Sequence, residues 1–411
     1  MPMEISDPTK FGFDRDRLQR IDRHLAANYV EAGRLPHAQL LVAREGQAIH
    51  FCSLGQARED GSPLQDDAIF RIASMTKPIT SIAYMMLLEE GVTALDDPVA
   101  RVIPEFAGLQ TYAGGGAGVP FVTQACAPMR MVDLLRHTSG LTYGFQQRTN
   151  IDAAYRERKL DGVRGALDND GFIQALADLP LEFEPGTAWN YSVSTDVLGV
   201  VVARLSGMSL GEFFRKRIFE PLGMVDTAFQ CPADKVHRLA DAYVRHPARK
   251  LDLNDPGETS VWLKAPRFES GGGGLLSTTL DYHHFSTMLL NGGQLDGVRI
   301  VSPKTLQLMT ANHLPGGADL TELSRSLFSE SSNAGVGFGL GFAVNMDPPR
   351  TLIPGTAGEY YWGGMYSTAF FIDPVNRLTM VFMTQLMPSS SYPIRRELKT
   401  LIYSAMTQSN G

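Results

Sequence analysis

Leu18, Ile21, Leu25 and Tyr29 recur at helical spacing, so the pattern predicts an amphipathic helix over residues 15 to 32. Ala38 to Ala43 and Ala48 to Leu54 flank the turn-forming Arg44-Glu45-Gly46-Gln47 and read as a β-hairpin. Near the other end, Gly339 to Val344, Tyr366 to Ile372 and Leu378 to Leu386 are strand-like, with Asp373-Pro374-Val375-Asn376 turning between the last two. Residues 392 to 406 then read as a closing helix. A chain that begins helix, strand, strand and ends strand, strand, helix predicts one antiparallel sheet built from both termini with helices over a face, an α+β fold.

The stretch between is mostly helical in pattern: Ile79 to Glu90, Met131 to Arg136, Gly171 to Leu179, Thr195 to Leu205 and Leu210 to Phe219. The Gly-rich Leu109 to Pro128 and the polar Arg245 to Ser270 carry no clear period and read as irregular segments. The expected division is a discontinuous α/β domain from residues 1–70 and 275–411, with a mainly helical domain over 71–274.

Composition narrows the classes of function. With 411 residues, 44% hydrophobic and 20% charged, the chain reads as an ordinary globular protein. A formal charge of −7 with no basic cluster argues against a nucleic-acid partner. The longest unbroken apolar run, Ile82 to Leu88, is too short to span a membrane, and the polar Met1 to Lys10 shows no signal-peptide core. Cys52, Cys126 and Cys231 are odd in number and widely spaced, with no Cys-x-x-Cys and no His at metal-ligand spacing. A cytoplasmic protein without metal or organic cofactor is expected. His283-His284 opens a helix-like stretch and reads as a solvated or core pair.

Chemistry enters at Ser74-Met75-Thr76-Lys77, which runs into the apolar helix pattern. Residues i and i+3 share a helix face, so the Lys77 amine can reach the Ser74 hydroxyl and take or steer its proton. Pro78, which lacks an N–H, is best tolerated in a first helical turn, so the helix is predicted to begin close to Ser74. A rival nucleophile is Ser209 in Gly207-Met208-Ser209-Leu210-Gly211, which matches the Gly-x-Ser-x-Gly elbow. That elbow needs a preceding strand, whereas Val197 to Leu205 reads as helix. Ser209, with Glu212 three residues on, reads instead as a helix-capping box.

Two further stretches complete a candidate site. Tyr191 follows the turn-forming Pro185-Gly186 and stands on a loop ahead of a helix, where an ammonium neighbour favours its phenolate form or itself loses its proton more readily, the two titrating as a unit. Trp362-Gly363-Gly364-Met365 leads into a strand, and its glycines let backbone approach a substrate or another strand. Against a substrate, the Met365 N–H can pair with the Ser74 N–H as an oxyanion hole.

Ser-x-x-Lys, then Tyr191-Ser192-Val193, then Trp362-Gly363-Gly364 closely resemble the serine hydrolases of the class C β-lactamase and penicillin-binding protein superfamily. More narrowly, the chain resembles the family VIII carboxylesterases of that fold. Supporting stretches are Phe70-Arg71-Ile72-Ala73, Leu134 to Leu141, Pro185-Gly186-Thr187, Pro221-Leu222-Gly223-Met224 and Gly272-Gly273-Gly274-Leu275, and the likeness runs from about residue 12 to residue 405. The resemblance implies Ser74 as the acylated nucleophile, Lys77 and Tyr191 as shared general acid and base, and the Ser74 and Met365 N–H groups as the oxyanion hole.

Two departures bear on substrate. Where class C lactamases carry Asn two residues after the Tyr, this chain has the apolar Val193, and where they have Lys-Thr-Gly it has Trp362-Gly363-Gly364. Losing that ammonium removes a charge-assisted bond to an anionic substrate, and Trp362, Gly363, Gly364 and Val193 are expected to line a site for an uncharged ester. The expected reaction is ester cleavage through an acyl-Ser74 intermediate, with acyl transfer to other alcohols by the same chemistry. The alternatives are a β-lactamase or D-amino-acid peptidase, and a non-catalytic ligand-binding relative. The expected partner is a small-molecule ester, with neither nucleic acid nor membrane, and the sequence leaves oligomeric state open.

Overall fold

Asp14 starts the first helix, its carboxylate accepting the Arg17 N–H, and α1 runs Arg15–Leu25 with Leu18, Ile21 and Leu25 buried. The structure is a computed structural model that describes residues 4–161, 163–248, 250–325 and 332–410. Beyond α1 the expected helix widens into a single π-type turn, Ala26–Val30. The hairpin follows as β1 (His37–Arg44) and β2 (Gln47–Gly55), with a bulge between Val42 and Ala43.

The C-terminal half supplies β3 (Val336–Phe338), β4 (Ala343–Asn345), β5 (Tyr360–Gly363), β6 (Ala369–Asp373) and β7 (Leu378–Met383). All seven strands form one antiparallel sheet in the order β3-β4-β5-β6-β7-β1-β2. The ends of the chain therefore meet inside the sheet, where β1 pairs with β7 from Gln39↔Met383 to Arg44↔Leu378. On one face α1 and the last helix pack together. That last helix runs Ile394–Ser404, and its Ile394, Leu398 and Ile402 join Leu18 and Ile21 over Leu40, Val42, Phe371 and Met380. A helix over Thr279–Leu290 covers the other face, its Tyr282 ring 5.1 Å from that of Phe370. With both faces covered, β1 is buried at every position.

Several boundaries differ from the sequence reading, each for a local reason. Gly339 to Val344 straddles a turn between β3 and β4. The strand expected from Tyr366 starts only at Ala369, because Ser367 takes φ +67° in a turn that returns its N–H to the Gly364 carbonyl. Leu386–Met387 leaves the main sheet and pairs in parallel with Ala242–His246. The unassigned Leu109 to Pro128 forms a hairpin of Gln110–Gly116 with Val119–Ala125, and part of Arg245 to Ser270 pairs as Lys250–Asp255 with Ala242–His246.

Two helices lie at the heart of the remaining chain. We number them α2 (Thr76–Glu89), buried along nearly its whole length, and α3 (Ser194–Ser206), which packs against it. No single helix among the described residues is long and apolar enough to cross a membrane.

Burial also fixes how stability should respond to acid. Desolvation pushes the imidazoles of His37 and His283 down to about 4, so between that value and 6.5 the unfolded chain binds protons that the folded chain refuses. Their penalty is absent above pH 6.5 and grows as pH falls toward 4, on the order of 3 kcal/mol each. Asp281, pushed up to about 6 by burial, works in the opposite sense and offsets part of this loss. The melting temperature is expected to fall from pH 7 to pH 4.5, with a shallower fall in His283→Gln; equal slopes in calorimetry would refute the assignment.

Candidate active site

Ser74 is held at the junction of three chain segments. Phe70 and Arg71 pair antiparallel with Leu276 and Ser277, and the Ile72 N–H continues to the Leu275 carbonyl at 3.1 Å. Arg71 is wholly buried and anchors this strand, its Nε 2.7 Å from Asp255 Oδ2 and its Nη1 2.6 Å from the Ala240 carbonyl. Ala73 then takes φ +43°, a conformation non-glycine residues adopt at a cost, and the chain enters a 3₁₀ turn over Ala73–Met75 that runs into α2. The helix thus begins beside Ser74 as expected, with Pro78 in its first turn.

Lys77 lies on the Ser74 side of α2. Its Nζ is 3.4 Å from Ser74 Oγ, 3.0 Å from the Tyr143 hydroxyl and 2.6 Å from the Gly272 carbonyl. Three acceptors meet the three donors of an ammonium. Lys77 is 2% exposed, and among the described residues no carboxylate is within ion-pair distance of it. Its nearest acidic relay runs through Tyr143, whose hydroxyl donates to Asp196 Oδ2 at 3.3 Å. Burial, and then the charge of Asp196, hold the Tyr143 phenol well above its ordinary range, so it stays a neutral donor.

Asp196 also organises the other wall. Its Oδ1 accepts the Gly272 N–H at 3.0 Å and the Ser270 hydroxyl, which presents the Gly272 carbonyl to Lys77. A Cβ on Gly272 would stand 2.2 Å from Asp196 Oδ2, so the contact requires glycine.

Tyr191 closes the arrangement with a 2.6 Å hydrogen bond between its hydroxyl and Ser74 Oγ. Its loop is pinned by the Asn190 N–H on the His137 carbonyl at 2.9 Å and by Gln146, whose side chain donates to the Tyr191 carbonyl. The ring packs among His137, Tyr143 and Trp362 at centroid distances of 5.1, 5.3 and 5.5 Å, and Lys77 Nζ lies 4.7 Å from its centre. Burial, then the Lys77 charge, hold the His137 imidazole well below its ordinary range, so this neighbour is neutral.

The strand expected to flank the site does so. Trp362, Gly363, Gly364 and Met365 border the same cavity as Ser74 and Tyr191, which has a volume of about 870 Å³. Gly364 permits the close approach, since a Cβ there would meet the Ile72 carbonyl oxygen at 2.5 Å. Met365 is 49% exposed at the mouth. Phe145, Leu160, Val163 and Phe268 add apolar wall.

Val193 is a correction. It is 1% exposed, its N–H is on the Thr142 carbonyl at 3.2 Å, and it is absent from the residues bordering the cavity. The chain turns into α3 immediately after it, which swings this side chain inward to the core. The cavity also holds cations that sequence reasoning missed. Arg395 donates to the Gly364 and Thr368 carbonyls at 2.8 and 2.9 Å, and Lys399 is paired with Glu359 at 2.5 Å. Tyr143, Asp196 and Gly272 were missed as site residues too, since nothing in a lone Tyr, or an Asp in a first helical turn, marks them.

Ser209 is a cap. Its hydroxyl accepts the Glu212 N–H at 3.2 Å, and the segment before it is α3, ended by Gly207 at φ +69°. The box is half-formed, because the Glu212 carboxylate goes to Lys216 at 2.6 Å rather than back to the cap.

If Tyr143 and Asp196 position Lys77, Tyr143→Phe and Asp196→Asn should lower kcat by roughly 10- to 100-fold on any substrate acylating Ser74, with KM little changed. An unaltered kcat in both variants would contradict the relay.

A family described as Beta-lactamase matches residues 23–404. Protein Rv1367c of Mycobacterium tuberculosis is 36% identical over 365 residues, 88% of each chain. Esterase EstB of Burkholderia gladioli is 30% identical over 420 residues, 97% of this chain and 98% of its own. Among solved structures, EstCE1, a hydrolase with promiscuous acyltransferase activity, superposes with a TM-score of 0.78 at 27% identity, covering 94% of this chain and 98% of its own. The expected β-lactamase/transpeptidase-like α+β fold is therefore the fold observed, and the chain belongs to the Beta-lactamase family.

Proposed function

We propose that this protein is a serine hydrolase that cleaves carboxylic esters through an acyl-Ser74 intermediate and passes the acyl group to water or to a second alcohol. The 2.6 Å contact between Tyr191 and Ser74, with Lys77 beside both, carries the reading. Ser74 Oγ attacks the ester carbonyl carbon while its proton moves along that contact to the Tyr191 oxygen, which must first have given up its own. The Ser74 and Met365 N–H groups receive the oxyanion. Collapse expels the alcohol, which takes the proton from Tyr191. Water or another alcohol then attacks the acyl carbonyl and gives its proton to Tyr191, which returns it to Ser74 Oγ as the acyl–oxygen bond breaks.

Ester specificity rests on Trp362, an uncharged aromatic near the end of β5, and on the apolar wall of the cavity. It no longer rests on Val193. The cations Arg395 and Lys399 are already engaged by carbonyls and by Glu359, so neither replaces the missing strand ammonium. A relative named as an esterase and a structural neighbour named as a hydrolase with acyltransferase activity support the same class. Free thiols at Cys52, Cys126 and Cys231 suit a reducing cytoplasm.

Intact-mass measurement after fluorophosphonate treatment tests the nucleophile: one adduct is expected on the wild type and on Ser209→Ala, and none on Ser74→Ala. Purified protein should turn over p-nitrophenyl butyrate faster than a chromogenic cephalosporin or a D-Ala peptide. The reverse ranking would replace the ester reading with a lactamase or peptidase.

A further inference from the structure

The edge strand β2 places His50 and Cys52 two residues apart, hence on one face of the sheet, the face covered by α1. Asp22 of α1 comes down on them. His50 Nε2 is 2.7 Å from Asp22 Oδ1, and the nitrogen, the Cys52 sulfur and a carboxylate oxygen of Asp22 all lie within 4.8 Å of one another. His50 and Cys52 are 9% and 8% exposed, while Asp22 is half-buried. A second cavity of about 400 Å³ reaches Asp22 and His50 from outside, bordered also by Ser6, Asp7 and Gln19. None of these residues borders the Ser74 cavity. His50 and Cys52 form no recognised metal-ligand motif in the sequence, but a strand brings positions i and i+2 together on one face.

We propose that Asp22, His50 and Cys52 form a binding site for a divalent transition-metal ion of zinc type. One thiolate, one imidazole and one carboxylate are a donor set that Zn²⁺ takes in tetrahedral geometry, with a water from the outer cavity as fourth ligand. The charges balance: a dication with one thiolate and one carboxylate is neutral, which suits a site that is largely buried. On binding, metal–sulfur, metal–nitrogen and metal–oxygen bonds form, the thiol proton leaves to solvent, and the imidazole changes tautomer, giving up the Nε2–H that donates to Asp22 and carrying its proton on Nδ1 instead. The hydrogen bond between His50 and Asp22 is replaced by bonds through the ion. The site ties α1 to the edge of the sheet and plays no part in ester chemistry, so it stands or falls independently of the proposed function.

Full-length protein, freed of metal with a chelator and exchanged into metal-free buffer, is titrated with Co²⁺ and then Zn²⁺. One Co²⁺ per chain is expected, with a thiolate-to-cobalt charge-transfer band that Zn²⁺ abolishes. Cys52→Ser should lose the band, and His50→Gln and Asp22→Asn should weaken binding by at least about tenfold, each variant keeping the wild-type circular dichroism. Zn²⁺ should also raise the melting temperature of the wild type and not of Cys52→Ser. Binding without a thiolate band, a band that survives Cys52→Ser, or markedly less than one ion per chain would overturn the proposal.

Discussion

Ser74→Ala is expected to lower kcat/KM for p-nitrophenyl butyrate by about 10⁴- to 10⁶-fold, the range seen when a nucleophile that acts as one unit with its base is removed. The residual rate would come from the oxyanion donors and from binding alone, and no acyl-enzyme should accumulate. The substitution removes one oxygen whose partners are Tyr191 and Lys77, and it leaves Ala73 to Lys77 free to keep their turn. The melting temperature should therefore stay within about 2 °C of wild type. A variant that retained a tenth of the activity would show that another group forms the covalent bond.

Tyr191→Phe is expected to reduce kcat by about 10²- to 10⁴-fold, the usual size of a general acid–base contribution, while KM changes little. The phenyl ring would keep its packing against His137, Tyr143 and Trp362, so the change isolates the hydroxyl. Without that oxygen the Ser74 proton has only Lys77 to go to, at the longer distance of 3.4 Å. The loss should be smaller for p-nitrophenyl esters, whose leaving group departs as a stable anion, than for ethyl esters, whose alkoxide must be protonated. Equal losses on both would argue that Tyr191 assists attack only and not departure.

Much of this was readable from residue order because it depends on local periodicity. The hairpin over β1 and β2 shows as two apolar runs either side of a turn-forming stretch, and Ser74, Lys77, Tyr191 and the Trp362 strand each stand in a stretch with its own signature. The hairpin Gln110–Ala125 was not readable, since its Val119 and Val122 are exposed and its glycines carry no inside–outside alternation. Val193 misled because its place in the pattern, where class C lactamases carry Asn two residues after the Tyr, does not fix where its side chain goes. There the backbone is already entering α3, and position two faces the core. Tyr143, Asp196 and Gly272 lie 53 and 76 residues apart along the chain in their contacts and meet only through packing.

The tight passage of Gly364 against the Ile72 carbonyl has a consequence for how this protein can diversify. With the Ile72 carbonyl oxygen at 2.5 Å and the Thr368 hydroxyl also in the way, a side chain cannot be added at Gly364 without moving backbone. The opposite wall, where Phe145, Leu160 and Val163 stand on a long connecting segment, can change size residue by residue without moving Ser74 or Tyr191. Variation in substrate range, in a laboratory library or in a lineage, should accumulate on that segment, while Trp362 to Met365 and the residues before Ser74 stay as they are.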